Sequence, residues 1–127
     1  MTAPRDRFIV ANRLTHHLVE WAGDGPLVIL LHGFGQYWRS WRYQLPGLAQ
    51  AGFRVVAPDL RGYNLSDKPA GVENCRAKLL MADVLALGAH YSRDKFVLVA
   101  HDWGGAVAWA VAIGHAARLA KLRAAMR

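Results

Sequence analysis

Three apolar stretches set the frame of this chain: residues 27–31 and 96–100, both unbroken, and residues 53–57, which carry Arg54 near their start. Unbroken runs of this length fit strands buried on both faces, as in a parallel sheet. Ahead of them, residues 8–11 and 14–21 read as two further strands joined at Asn12-Arg13. Asn tolerates the positive φ of a tight hairpin, whereas Arg is a poor residue for the second turn position. Gly23-Asp24-Gly25-Pro26 marks the turn into the first apolar run.

Between the runs the period changes. Residues 38–50 carry Trp38, Trp41, Leu45 and Leu48 at helical spacing, with Pro46 expected to kink or restart the helix. Residues 58–72 form a long loop rich in Gly, Pro, Asp and Asn. Residues 73–89 predict a helix with Ala77, Leu80, Met81 and Val84 on one stripe, and residues 103–119 predict another. Strands alternating with helices imply an α/β fold: a parallel sheet with right-handed crossovers, preceded by an antiparallel hairpin. No repeat, low-complexity tract or linker interrupts residues 1–127, which read as one domain.

The stretch Val97-Leu98-Val99-Ala100-His101-Asp102-Trp103-Gly104-Gly105-Ala106 concentrates the chemistry. It reads as strand, very tight turn and helix, with Asp102 at the apex and small residues, Ala100 and Gly104, two positions to either side. Small residues let strand and helix crowd together, so the apex side chain is thrust outward in a strained backbone conformation. That is the geometry of a nucleophile elbow, with aspartate where many hydrolases carry serine. The plainer reading of Asp102 alone is a helix N-cap.

An upstream loop favours the elbow. His32-Gly33-Phe34-Gly35 follows the first apolar run directly. Attack at a carbonyl needs two preorganised N–H donors aimed at the oxyanion. In a strand–elbow–helix unit one comes from the residue after the nucleophile, here Trp103, and the other from this loop, here Phe34. A dinucleotide-binding loop is excluded, because Trp38 stands where a third glycine is needed. Aspartate as nucleophile is selective. Attack on an sp³ carbon gives an ester, which water can then open at the ester's own carbonyl. The substrate class that follows is an epoxide or an alkyl halide.

Composition adds limits. The chain has 127 residues, 54% of them hydrophobic and 20% charged, enough for one globular core. Its net charge of +7 invites a nucleic-acid or membrane partner. The basic residues are scattered, however, with a mild cluster at Arg118, Lys121, Arg123 and Arg127 and no nucleic-acid motif. The single cysteine, Cys75, leaves no intrachain disulfide and suits a reducing compartment. No signal peptide and no membrane-spanning run are visible, so a cytoplasmic protein is expected.

The motifs Leu30-Leu31-His32-Gly33-Phe34, Trp41-Arg42-Tyr43-Gln44-Leu45, Val55-Val56-Ala57-Pro58-Asp59-Leu60-Arg61-Gly62-Tyr63, Ser66-Asp67-Lys68-Pro69 and His101-Asp102-Trp103-Gly104-Gly105 occur in order. Together they resemble the α/β-hydrolase superfamily, and within it the epoxide hydrolase branch, over about residues 8–122. The resemblance implies Asp102 as nucleophile, Phe34 and Trp103 as oxyanion-hole backbone donors, and Trp38 as a wall of the substrate pocket. It implies a small-molecule epoxide substrate and no metal or organic cofactor. A haloalkane dehalogenase reading is the alternative. That branch usually carries Asn where Phe34 stands, and a fluoroacetate-type dehalogenase would prefer Arg at Trp103. Gly35, Asn64 and Ala100 depart from the usual proline, glycine and glycine.

The same resemblance implies that the chain matches the N-terminal half of a longer fold. The cap tyrosines that protonate the epoxide oxygen, and the downstream acid and histidine that activate water, have no counterpart in it. Without them the chain is expected not to turn over alone. Residues 97–99 are expected to form an unprotected sheet edge, open to self-association. Two further readings follow: a non-catalytic assembly fragment, or a truncated gene product.

Overall fold

The computed structural model describes residues 4–21, 23–71, 76–91 and 95–125. Strands β1 (Arg5–Ala11) and β2 (Leu14–Trp21) form the expected antiparallel hairpin. Its turn residues Asn12 and Arg13 have φ of 50° and 65°. Two consecutive positive φ values make the two-residue turn whose twist matches the flanking strands. Strands β3 (Leu27–Leu31), β4 (Arg54–Pro58) and β5 (Phe96–His101) are the three apolar runs. Strand β6 (Leu119–Ala125) completes a six-stranded mixed sheet in the order β1-β2-β4-β3-β5-β6. The hairpin joins the parallel part through antiparallel β2–β4 pairs, and β4–β3–β5–β6 run parallel.

Helices cover both faces. Helix α1 (Gln44–Gln50) packs on one side, over a cluster with Val28, Leu30, Val55 and Ala57. Helices α2 (Ala77–His90) and α3 (Trp103–His115) pack on the other, over Ile29, Leu31, Val56 and Leu98. Alternate residues of one strand thus serve two cores, which is why the strand centres read as apolar on both faces.

The structure corrects three expectations. Residues 38–50 are not one helix: a 3-10 turn, Trp38–Trp41, precedes α1, and Pro46 lies in the first turn of α1, where its missing N–H costs no helical bond. The third helix stops at His115 instead of reaching residue 119, and a 3-10 turn, Ala116–Arg118, leads into β6. Consequently residues 97–99 are no sheet edge, because β6 pairs with β5 from Phe96 to His101. The outer strand is β6, and its Lys121 and Arg123 side chains are exposed. Charges on an outer strand disfavour pairing with another chain. The start of the second helix, residues 73–75 including Cys75, lies outside the described residues.

The long loop after β4 is rigidly tied. Asp59, fully buried, accepts from the Trp38 backbone N–H (2.9 Å) and from Asn64 Nδ2 (2.9 Å), and pairs with His17 Nδ1 (2.7 Å). Arg61 donates from Nε and Nη2 to the two oxygens of Asp83 on α2, at 2.7 and 2.9 Å. Asn12 in the hairpin turn donates to the same carboxylate at 2.8 Å. Loop, hairpin and helix therefore meet at one buried ion pair.

Candidate active site

Asp102 sits between β5 and α3 with φ 55° and ψ −118°. Non-glycine residues rarely hold such angles, and they cost on the order of 1–3 kcal/mol. Two glycines make the conformation sterically feasible. A Cβ on Gly104 would lie 2.6 Å from the His32 carbonyl oxygen and 2.7 Å from that of Leu31. A Cβ on Gly33 would lie 2.8 Å from Asp102 Cβ. The end of β3, its loop and the start of α3 are thus in backbone contact around the apex.

The N-cap reading of Asp102 fails on geometry. Its backbone carbonyl accepts the first helical bond, from Gly105 N–H at 2.8 Å, but its side chain makes no capping bond to α3. The carboxylate turns instead to the loop after β3. Oδ2 accepts from the Phe34 backbone N–H at 3.0 Å. The Phe34 N–H, and after it the Trp103 N–H, hold the Asp102 carboxyl below the usual carboxylate range. Of the two backbone donors named from the sequence, the Phe34 N–H makes a hydrogen bond to this side chain. It stays partly exposed and ionised, and only one of its oxygens is held by Phe34.

His32 aims that donor. Its ring is fully buried. Nδ1 lies 2.8 Å from the Gly33 carbonyl oxygen, and Leu60 N–H donates to Nε2 at 2.9 Å. A ring nitrogen that accepts is unprotonated, so the proton sits on Nδ1 and is donated to Gly33. Burial pushes the His32 pKa down, which favours this neutral ring. The Gly33 carbonyl and the Phe34 N–H belong to one peptide plane, so fixing the carbonyl fixes the direction of the N–H. Gln36 holds the preceding peptide, with Oε1 accepting the Gly33 N–H at 2.9 Å, while its own N–H donates to the Gly33 carbonyl at 3.1 Å. Neither residue was singled out from the sequence for this task. Directness after a buried strand is the signal for His32; Gln36 offers none.

Trp38 packs against the α1-side core cluster, and its backbone N–H donates to Asp59. One cleft, on the α1 side, is lined by Gln36, Ser40, Trp41, Gln44 and His101. The other is lined by Phe34, Tyr63, Leu80 and Trp103, with Arg61. Of the remaining histidines, His16 bonds the Ala11 carbonyl and His17 is clasped between Asp6 and Asp59, both at 2.7 Å. Among the described residues no group of three His, Cys, Asp or Glu is placed to hold a metal ion. No helix there is long and apolar enough to cross a membrane.

Comparison with known proteins gives a consistent picture. Over 124 residues the chain is 44% identical to the AB hydrolase superfamily protein YfhM of Bacillus subtilis, covering 96% of this chain and 43% of that protein. Over 125 residues it is 41% identical to Epoxide hydrolase A of Mycobacterium tuberculosis, covering 98% of this chain and 39% of the relative. Its structure superposes on an epoxide hydrolase variant from Vigna radiata with a TM-score of 0.93 at 35% identity, covering 98% of this chain and 39% of that one. Epoxide Hydrolase A from Mycobacterium thermoresistibile gives a TM-score of 0.93 at 37% identity, with 96% and 39% covered. The chain thus spans about two fifths of the length of the relatives it matches. The family model described as alpha/beta hydrolase fold matches residues 26–123, and the chain belongs to that family.

Proposed function

We propose that Asp102 opens epoxides by nucleophilic attack, as the first half of an epoxide hydrolase reaction. The observation that carries this reading is the Asp102 carboxylate held at Oδ2 by the Phe34 N–H on a strained elbow. Holding one oxygen leaves Oδ1 to attack. The Oδ1–carbon bond forms as the ring carbon–oxygen bond breaks. The electron pair stays on the ring oxygen, which takes a proton from solvent water. Oδ2 becomes the carbonyl oxygen of the resulting ester. When water adds to that ester, negative charge develops on Oδ2, to which the Phe34 N–H donates, and the Trp103 N–H is the second donor of this reading. The ester then releases the diol.

Water needs a base in that second step. His16, His17 and His32 are committed to bonds within the fold, and the family resemblance assigns that base to a histidine with no counterpart in this chain, so ester hydrolysis is slower than ester formation. Epoxide is favoured over alkyl halide because Phe34 presents a phenyl ring, not an amide, where halide would need a donor. The names of the relatives point the same way.

Intact mass spectrometry after incubation with an activated epoxide tests the reading. One adduct per chain is expected, and none in Asp102→Asn. No adduct on the wild-type chain, or an adduct that survives the substitution, refutes it. Many diols formed per chain would refute the slow second step.

A further inference from the structure

We infer that strand β1 pairs edge to edge with the β1 strand of a second copy, in the one antiparallel register that sets Phe8 opposite Phe8, and so joins two sheets into one across a two-fold axis. Strand β1 ends the sheet, with β2 on one side only. Its partners on β2 show which way its backbone groups point. The His17 N–H donates to Ser66 Oγ, and the His17 carbonyl accepts from the Asp59 N–H, both at 2.9 Å. The Thr15 N–H donates to Asp67 Oδ2 at 2.8 Å, and the Thr15 carbonyl accepts from the Asp67 N–H at 2.9 Å. Both residues thus turn their backbone groups away from β1. In an antiparallel ladder the residues opposite them, Phe8 and Val10, then turn theirs away from β2, and Asp6 follows by alternation. Among the described residues nothing pairs with these outward N–H and C=O groups.

The edge is unguarded. Its ladder to β2 runs from Arg5 to Ala11 without a bulge, and no proline interrupts it. On one face Ile9 and Ala11 are buried in the core with α2 residues. On the other, Phe8 is 59% and Val10 73% exposed. A regular strand edge with apolar side chains is a template for another strand. Charge then selects the register. A two-fold axis normal to the sheet sets residues of equal parity opposite each other, because side chains alternate between faces. Centring the axis on Asp6 opposes two aspartates, and centring it on Arg7 opposes two arginines. Centring it on Ile9 sets Arg5 against Arg13, and on Val10 sets Arg7 against Arg13. Only at Phe8 do no like charges meet: Arg5 faces Ala11, Asp6 faces Val10 and Arg7 faces Ile9. Like charges directly opposite destabilise a sheet, whereas an aromatic pair stabilises it. In this register Asp6, Phe8 and Val10 exchange about six backbone hydrogen bonds with the second copy.

A single strand pair buries less than the ~1,600 Å² of a standard interface, so a dissociation constant of roughly 10–100 μM is expected. Sedimentation equilibrium on the 127-residue chain should show reversible monomer–dimer exchange, in reductant so that Cys75 cannot link copies. Phe8→Lys removes the ring pair and sets two ammonium groups against each other on the axis; the constant is expected to rise at least about tenfold. Val10→Lys alters the same exposed edge but sets each ammonium opposite Asp6 of the second copy, and is expected to leave the constant within about threefold. On the wild-type chain the Phe8 and Val10 amides should exchange hydrogen more slowly as concentration rises, a readout that needs no variant. A chain that stays monomeric up to about 1 mM overturns the pairing. A dimer that Phe8→Lys leaves intact uses another surface and overturns it too. Equal weakening by the two variants overturns the register.

Discussion

Replacing His32 by Asn and by Gln separates two tasks that one imidazole performs. The ring gives a proton to the Gly33 carbonyl and accepts one from Leu60 N–H. Asn places an amide nitrogen near the Nδ1 position, so it keeps the donor and abandons Leu60. The Leu60 N–H then has no partner inside a residue that is 3% exposed. A stranded buried donor costs about 1–3 kcal/mol, and the smaller side chain adds about 1 kcal/mol for the space it leaves. The sum, about 2–4 kcal/mol, lowers Tm by roughly 8–16 °C for a domain of this size. Gln has the reach to keep the acceptor toward Leu60 but loses the donor to Gly33. The Gly33 carbonyl still has the Gln36 N–H at 3.1 Å, so stability falls by only about 1 kcal/mol. The Gly33–Phe34 peptide, however, is held at one point fewer, and the donor to Asp102 loosens. Adduct formation is expected to slow roughly tenfold, short of the 10²–10³ lost when such a donor is removed outright. Urea unfolding and adduct kinetics on both variants give the readout. The expected pattern crosses: Asn harms stability more, and Gln harms reactivity more. Equal losses in both measures, or a Gln variant with wild-type kinetics, would refute the role assigned to the Gly33–Phe34 peptide.

Other outcomes follow from the same contacts. Because burial lowers the His32 pKa, the unfolded chain binds this proton more readily than the folded one below about pH 6.5. The His32 contribution to stability is therefore complete above that pH and is lost as pH falls toward the folded value, with a limiting slope near 1.4 kcal/mol per unit; His32→Gln should flatten this part of a urea-midpoint profile. Gly104→Ala pushes a methyl against two backbone carbonyl oxygens that cannot rotate away, so a loss of at least 3 kcal/mol is expected, seen as failure to give a cooperative thermal transition. Asp83→Ala leaves the Arg61 guanidinium without its bidentate partner in a buried setting, and should cost about 3–5 kcal/mol in denaturant unfolding.

Legibility in the sequence follows the range of the interaction. The three apolar stretches announce β3, β4 and β5 because both faces of each strand pack against helices, so polar residues fall only at strand ends, Arg54 and His101. The elbow is legible because crowding requires glycine at fixed offsets from Asp102. Strand β6 is hidden: Lys121 and Arg123 break the apolar pattern, and only pairing across from Val97 and Val99 reveals a strand. Trp38 sits at helical spacing with Trp41, yet spacing says nothing about which side of the sheet receives it, and it packs with the α1-side core. The aim of the Phe34 N–H depends on His32 meeting Leu60, 28 positions away, a contact no local pattern encodes.

The strand order itself dictates where a ligand can lie. From the end of β3 the chain departs to the α1 side of the sheet, and from the end of its neighbour β5 it departs to the α3 side. Two adjacent strands whose exits part company cannot close the space above them, so a crevice opens at their carboxyl ends without any side chain being specified. The loop 32–36 is one bank of this crevice and Asp102 the other. Topology thus fixes the address of the site, and its residues decide only which chemistry is delivered there. A different apex residue on this same crossing would change the reaction and leave its location untouched.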